Sequence, residues 1–580
     1  MTRTLITIIA FFQITLGFAQ INNSSFDLKA KIVDEITKEM LPFASVFNQQ
    51  QKFGTASNLD GYFELPDNQL GDSIVVSYIG YENKVIVISR ELPRVIEMKP
   101  RSAFLNEVTV IAQSDYLYDM VANIRKNRKT KSKTSKTYFF LESSVDNQPI
   151  EIIETYFNGE YSNFGIDDLS IKKGRIGLKS FNNRSFRSTE SSRLFSMHDI
   201  FGKSKLFPGS PLAFNKRKLK KDFTLDLNRS YVENDLKIFV IDFKPKNGRT
   251  DLFEGTVWID QKNNRLLKLI LKVESAAVHP FLPIGYNTIQ RIDMEITKTY
   301  EKVGSDPFIN SIDFNYDVYY VDTMGSQIKV TTKAFTKAYD YQKPFNLPYF
   351  NFSKHYHQDY RDVSVAPYDS LFWNRTTEFR FYDRLQEIEN FILENEIDGR
   401  ILQPRTRRDS LHSQLQFPYI SWNVNRFKMR QAPYSVIEKS AKSKPFMVDR
   451  YNLGVKLYFD INQVRDSLIY QLHTILDPVE SFYHFKITDY DRAFMNMYFD
   501  LMEIQKRELE KELSQVPVPS KIVFGQLYQK HLKIFEEKSK LLFSETDRGR
   551  DFDKMKDWND YILESLQVDN LKFFNIDETE

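Results

Sequence analysis

The densest group of metal-capable side chains in the sequence is His355-Tyr356-His357-Gln358-Asp359. Alternate residues of an extended strand share a face. His355, His357 and Asp359 could therefore present two imidazoles and a carboxylate to one ion, the donor set of a metal-dependent hydrolase with open positions. Two features oppose that chemistry: the chain holds only 8 histidines, and Tyr360-Arg361-Asp362 continues as ordinary connecting sequence. No Gly-x-Ser-x-Gly elbow, His-Glu-x-x-His helix, P-loop or dinucleotide glycine fingerprint occurs. Cysteine is absent, which removes disulfides, thiolate metal sites, cysteine nucleophiles and a lipidated N-terminal cysteine. The expectation is a protein that is not an enzyme and uses no cofactor.

The elements that would position such residues are mainly β in the first two thirds and helical in the last. Apolar residues make up 41% and charged residues 27% of the 580 residues, enough to bury cores. The net charge of +3 excludes nucleic-acid binding by charge alone. Residues 1–19 read as an export signal: Arg3, an apolar stretch from Leu5 to Phe18, then Gly17 and Ala19 before a cleavage point at Gln20. That apolar stretch is shorter than the roughly 20 residues a membrane span needs. The protein is expected to be exported, either periplasmic or attached peripherally to the outer membrane.

Residues 24–112 alternate in short strands separated by turn residues such as Asp60-Gly61. Leu41-Pro42-Phe43-Ala44-Ser45-Val46, Gly54-Thr55 through Asp60-Gly61-Tyr62-Phe63, and Ser77-Tyr78-Ile79-Gly80-Tyr81 resemble the carboxypeptidase regulatory-like domain. Asn58 stands where the first acid of the hairpin usually does. The resemblance implies a transthyretin-like β-sandwich of about seven strands, common in envelope proteins of Bacteroidota, and no catalytic role. Asp60 and Asp72 could be calcium ligands, but turn roles suit them better, because no multi-carboxylate loop accompanies them. In many relatives a segment like Leu105-Asn106-Glu107-Val108-Thr109-Val110 leads into the plug of a TonB-dependent transporter, which suggests an accessory of TonB-linked uptake as one alternative. Here it leads into residues 113–136, a helix face of Tyr116, Leu117, Met120, Val121 and Ile124 followed by a basic linker.

Residues 137–341 alternate with period two over long strands, as in a curved antiparallel sheet. Phe253 to Asp260, a turn, then Leu266 to Val273 resembles a hairpin of lipoprotein-carrier-like half-barrels, a resemblance resting on few fixed positions. It implies an apolar concave face that holds a lipid or an apolar peptide. Trp258, Leu267, Leu269, Leu271, Ile292, Met294, Phe314, Tyr316 and Val318 are the expected lining, with 184–221 as an irregular flap and the face partly open. Residues 342–450 read as an extended segment, a short helix and a linker, and 451–570 as a helical bundle after one strand at Tyr451–Ile461. The bundle's stripes begin with Val464, Leu468, Leu472, Ile475 and Leu476, and a tail at 571–580 follows. Together these readings describe a non-enzymatic envelope protein that binds a protein partner or an apolar ligand through its β modules.

Overall fold

The computed structural model describes residues 26–576 apart from 59, 90–92, 102–113, 128–131, 163–164, 180–185, 187, 189–193, 234–235, 284–286, 304–305, 351–358, 377–378, 380–383, 396–418, 428–450, 465–466 and 484–486. The export segment with its Ala19/Gln20 cleavage point and the Leu105–Val110 segment lie outside the described residues.

The N-terminal unit is a sandwich of β1 (Phe26–Asp34), β2 (Ser45–Asn48), β3 (Phe53–Ala56), β4 (Tyr62–Asn68), β5 (Ser73–Ser77), β6 (Lys84–Val87) and β7 (Val95–Met98). The strands form two sheets, in the orders β4-β1-β7 and β3-β2-β5-β6. Their alternation sends Leu28, Ala30, Ile32, Val46, Phe63 and Ile74 into one core. Asn58 Oδ1 accepts from the backbone N–H groups of Asp60 and Tyr62, both at 2.9 Å, which fixes the turn into β4. Gly61 adopts φ 68°, and a Cβ there would lie 2.5 Å from the Ile32 carbonyl. The Asp72 carboxylate accepts from Asn48 (2.9 Å), Gln51 (3.3 Å) and the Gln69 N–H (3.0 Å), a turn-holding set.

The larger unit begins with α1 (Ser114–Ile124) and a sheet of β8 (Lys133–Val145), β9 (Gln148–Tyr161) and β10 (Ile166–Leu178). Thus the end of the expected basic linker is strand. Helix α2 (Lys216–Asp222), capped by the Asn215 side chain, precedes β11 (Phe223–Glu233), β12 (Leu236–Pro245), β13 (Glu254–Asp260) and β14 (Arg265–Val273). Long strands β15 (Thr288–Val303), β16 (Asp306–Val321) and β17 (Gln327–Asp340) complete it. The ten strands run in the order β10-β9-β8-β17-β16-β15-β14-β13-β12-β11. Two meanders, β8–β10 and β11–β17, are therefore joined by the antiparallel β8–β17 ladder.

Three short helices follow: α3 (Asp359–Val365), α4 (Ser370–Arg375) and α5 (Leu385–Glu394). The expected linker at 403–444 falls largely outside the described residues. The first helical stripe of the C-terminal third is corrected: Val464 ends one strand, and Leu468, Leu472, Ile475 and Leu476 lie in the next. A two-residue strand β18 (Ile420–Ser421), β19 (Tyr451–Val464) and β20 (Ser467–Tyr483) form a small sheet in which β20 is central. Leu468 and Leu472 are four apart, a spacing that shares a face in a strand as well as a helix. Pro478, two residues beyond Leu476, opposes a helix continuing past the stripe.

The remaining stripes are helical: α6 (Asp489–Ser514), α7 (Lys521–Glu545) and α8 (Phe552–Leu566). Helix α6 opens with a Thr488/Asp491 capping box and α7 with Ser520. The expected tail is corrected as well. A further short helix, α9 (Asn570–Phe573), carries Leu571, and Phe574 and Ile576 follow it into the same apolar cluster as the other helices.

Candidate functional site

Period-two alternation places Ile292, Met294, Ile296 and Lys298 of β15 on one face of the ten-stranded sheet. Leu269 and Leu271 of β14 and Ile312, Phe314, Tyr316 and Val318 of β16 share that face. Register confirms the match: Leu271 opposes Ile296, Ile296 opposes Phe314, Met294 opposes Tyr316 and Ile292 opposes Val318. All of these apolar residues are buried in one cluster.

Two expected members are elsewhere. The β13–β14 register steps from Trp258↔Lys268 to Ile259↔Leu266, leaving Leu267 as the extra residue of a bulge. The bulge shifts the phase, so Leu266 is fully buried in the cluster and Leu267 only half-buried. Trp258 lies between Val257 and Ile259, which belong to the cluster, and so faces the opposite side. There the Lys268 Nζ sits 5.2 Å from its ring centre.

The face is covered by the chain itself. Phe195 stacks on both Phe314 and Tyr316, each with centroids 5.2 Å apart. Phe281 lies 4.6 Å from Tyr316 and Phe207 packs edge-on to Phe195 at 4.9 Å. Leu117, Val121 and Ile124 of α1, with Phe201, Leu212 and Leu219, are buried in the same cluster. Within 184–221, expected as a flap over a partly open face, the described residues Phe195 and Phe207 pack on that face instead.

One polar group within this cluster was not anticipated. Lys298 is 0% exposed, with Leu269 and Ile312 as its cross-strand neighbours. Its Nζ donates to the His198 carbonyl at 2.6 Å. Burial brings its pKa down to about 7, against the pull of the Asp199 charge. His198 is buried as well. Burial, helped by Lys298, holds its imidazole down to about 3, hence neutral, and its Nδ1 meets no hydrogen-bond partner among the described residues. The sequence did carry the signal, because 298 is in phase with 292, 294 and 296.

The expected metal triad falls largely outside the described residues. His355 and His357 lie outside the described residues, and Asp359 is the first residue of α3. Among the described residues, no three His, Asp or Glu side chains stand close enough together to hold a metal ion.

Residues 28–110 match the family model of the CarboxypepD_reg-like domain. The seven strands of that domain are the N-terminal sandwich. The search of solved structures found a DUF1329 family protein of Desulfovibrio piger at 10% identity and TM-score 0.17, covering 39% of this chain and 92% of that one. A LolA superfamily protein of Nitrosomonas europaea matches at 11% identity and TM-score 0.15, covering 40% and 97%. A chain of the Pseudomonas aeruginosa MucA/MucB complex matches at 10% identity and TM-score 0.14, covering 38% and 93%. Scores at this level carry no argument about function. No curated protein matches the sequence.

Downstream of the CarboxypepD_reg-like domain, two further buried polar networks tie the larger unit together. A β10 bulge leaves Lys172 as an extra residue, so that Lys172 and Lys173 both reach the β19–β20 hairpin. Asp460 receives Lys172 at 2.5 Å and Lys173 at 3.1 Å, and Lys173 also donates to Tyr458 (2.8 Å) and Gln471 (2.9 Å). Burial lowers the Lys172 pKa although Asp460 opposes the shift. Buried Glu151 accepts from Ser143 Oγ (2.8 Å), the Ser188 N–H (3.2 Å), Ser188 Oγ and the Tyr360 hydroxyl, which ties α3 to β9. These groups are used up in holding elements together.

Proposed function

We propose that the protein is an exported, non-catalytic protein of the cell envelope, periplasmic or outer-membrane-associated, whose β modules bind a protein partner. The observation that carries this reading is the filled sheet face: Phe195 occupies the slot over Phe314 and Tyr316. A sheet whose apolar face is satisfied by its own chain acts as a scaffold that presents surfaces. Native mass spectrometry of the protein purified from its own envelope tests this. A co-purified protein supports the reading, and a co-purified lipid without protein overturns it.

A second reading, binding of an apolar ligand after displacement of the segment around Phe195, is favoured by Lys298. Its ammonium has three donors and, among the described residues, one acceptor, while His198 Nδ1 beside it has none. Phe195→Ala then costs about 3–5 kcal/mol of stability and opens the face to the dye ANS. An unchanged dye signal in the folded variant counts against ligand binding there. The metal-dependent hydrolase reading rests on His355, His357 and Asp359. It falls if elemental analysis finds no stoichiometric metal and the His355→Ala, His357→Ala double variant behaves as the parent. A role beside a TonB-linked transporter requires that such a transporter be recovered by pull-down from envelope fractions.

A further inference from the structure

We propose that the turn joining α6 to α7 is a lipid-contact tip that seats the protein on an anionic membrane surface. This inference is independent of the partner-binding reading. The turn reads Ser514-Gln515-Val516-Pro517-Val518-Pro519-Ser520-Lys521-Ile522. Val518 is 77% and Ile522 75% exposed, and among the exposed large apolar residues of the described chain only Met324 exceeds Val518. A shallow, largely open apolar depression of about 450 Å3 is lined by Val518 itself with Val516, Pro517, Val523 and Leu527, and Glu512 and Gln515 stand at its edge.

Part of the backbone at this tip is already prepared for a poorly hydrated environment. Pro517 and Pro519 have no N–H to leave unpaired. The Gln515 and Val516 N–H groups donate to Glu512 and Leu513 carbonyls at 3.1 and 3.3 Å. The Val523 N–H is taken by Ser520 Oγ at 3.3 Å and the Phe524 N–H by the Ser520 carbonyl at 2.9 Å. Burying a donor without an acceptor is the main cost of entering the headgroup and acyl boundary; that cost is already met for these four N–H groups, and the N–H groups of Val518 and Ile522 would take headgroup or water oxygens as partners.

Charge selects the lipid. Lys511, Lys521 and Lys530 face a single acid, Glu512, over residues 511–530. Glu512 is engaged by Lys530 at 2.6 Å. Among the described residues Lys511 and Lys521 pair with no carboxylate, and both are exposed. Apolar side chains flanked by free cations match the two-part attraction of an interfacial anchor to anionic lipid. Two exposed side chains and two prolines are too small a patch for a stable protein partner or second copy, which needs about 800 Å2 from each side.

The exported protein, purified from its own envelope, is sedimented with vesicles of phosphatidylcholine and phosphatidylglycerol in equal amounts, and with phosphatidylcholine alone. It is expected to bind the anionic vesicles more tightly. Val518→Asp with Ile522→Asp should weaken that binding about tenfold or more with an unchanged circular dichroism spectrum. Lys511→Glu with Lys521→Glu should abolish the preference for anionic lipid. A tryptophan placed by Val518→Trp should shift its emission to the blue on the vesicles. The proposal is overturned if no vesicle binding occurs, if the double aspartate variant binds as well as the parent, or if the tryptophan emission stays unshifted. It is also overturned if the aspartates change the oligomeric state while vesicle binding persists, which would assign the tip to a second copy.

Discussion

Lys298 is a residue kept at a cost. A lysine in an apolar cluster with one carbonyl acceptor destabilises the fold whenever it must carry its charge there. Its folded pKa of about 7 lies below the usual value of about 10.4. Between those two values the unfolded chain binds more protons, so stability rises with pH across roughly 7 to 10.4 and is flat with respect to this group below 7. Lys298→Met, which keeps the length and removes the charge, should raise stability at pH 7 by about 1–3 kcal/mol and flatten that rise. Urea titrations from pH 7 to 10 would show it. A variant less stable than the parent at pH 7 would mean that the ammonium is better solvated than its burial implies. His198 titrates in a separate window. Its folded pKa, about 3, lies under its unfolded value near 6.5, so stability falls as pH drops through that interval. His198→Leu should reduce the loss, measured as thermal midpoints between pH 4 and 6.5.

At the scale of elements, the β19–β20 hairpin is a layer with two different faces. Leu457, Phe459 and Ile461 pack on the C-terminal helices, while Tyr458 and Asp460 meet Lys173 and Lys172. Breaking a buried pair from one side leaves uncompensated charge, so Asp460→Ala should cost about 3–5 kcal/mol in urea unfolding. Replacing the pair by Lys172→Met with Asp460→Leu should recover most of that loss. If the double variant is no better than the single one, Lys173 rather than Lys172 dominates the network. This hairpin is also where the sequence misleads, because residues at i and i+4 satisfy both periods and only the partner strand decides between them. The long strands β15 and β16 were legible from alternation alone, as were α6, α7 and α8 from stripes such as Phe494, Met497, Leu501 and Phe524, Tyr528, Phe535. The bulge at Leu267 was not, since an inserted residue changes the phase without changing composition. The cover over the sheet face was not either: residues 184–221 have no period, and the burial of described members such as Phe195 arises from individual contacts like that on Phe314.

At the scale of the molecule, the far C-terminus belongs to the C-terminal helical layer. Asn570 donates to Asp500 at 2.7 Å, Asp500 accepts from Arg426 at 2.5 Å and from the Trp422 indole at 2.6 Å, and Leu571, Phe574 and Ile576 join the apolar cluster. A chain ending at Val568 should therefore lose about 3 kcal/mol or more, read as a lower thermal midpoint. An unchanged midpoint would return these residues to the status of a tail.

The ten-stranded sheet also imposes an order of events on biogenesis. Each meander can zip up from neighbours in sequence, but the ladder Val145↔Val330 through Lys136↔Asp340 joins strands on either side of residues 146–326. A polypeptide that emerges from a ribosome or an export channel N-terminus first presents β8 long before β17 exists. During that interval β8 is an unpaired edge, a template for pairing with other chains, and its loop-closure cost is met only when the second meander arrives. The nascent protein thus has a vulnerable period set by the distance between these two strands, and any holding factor that meets the emerging chain would act on the β8 edge.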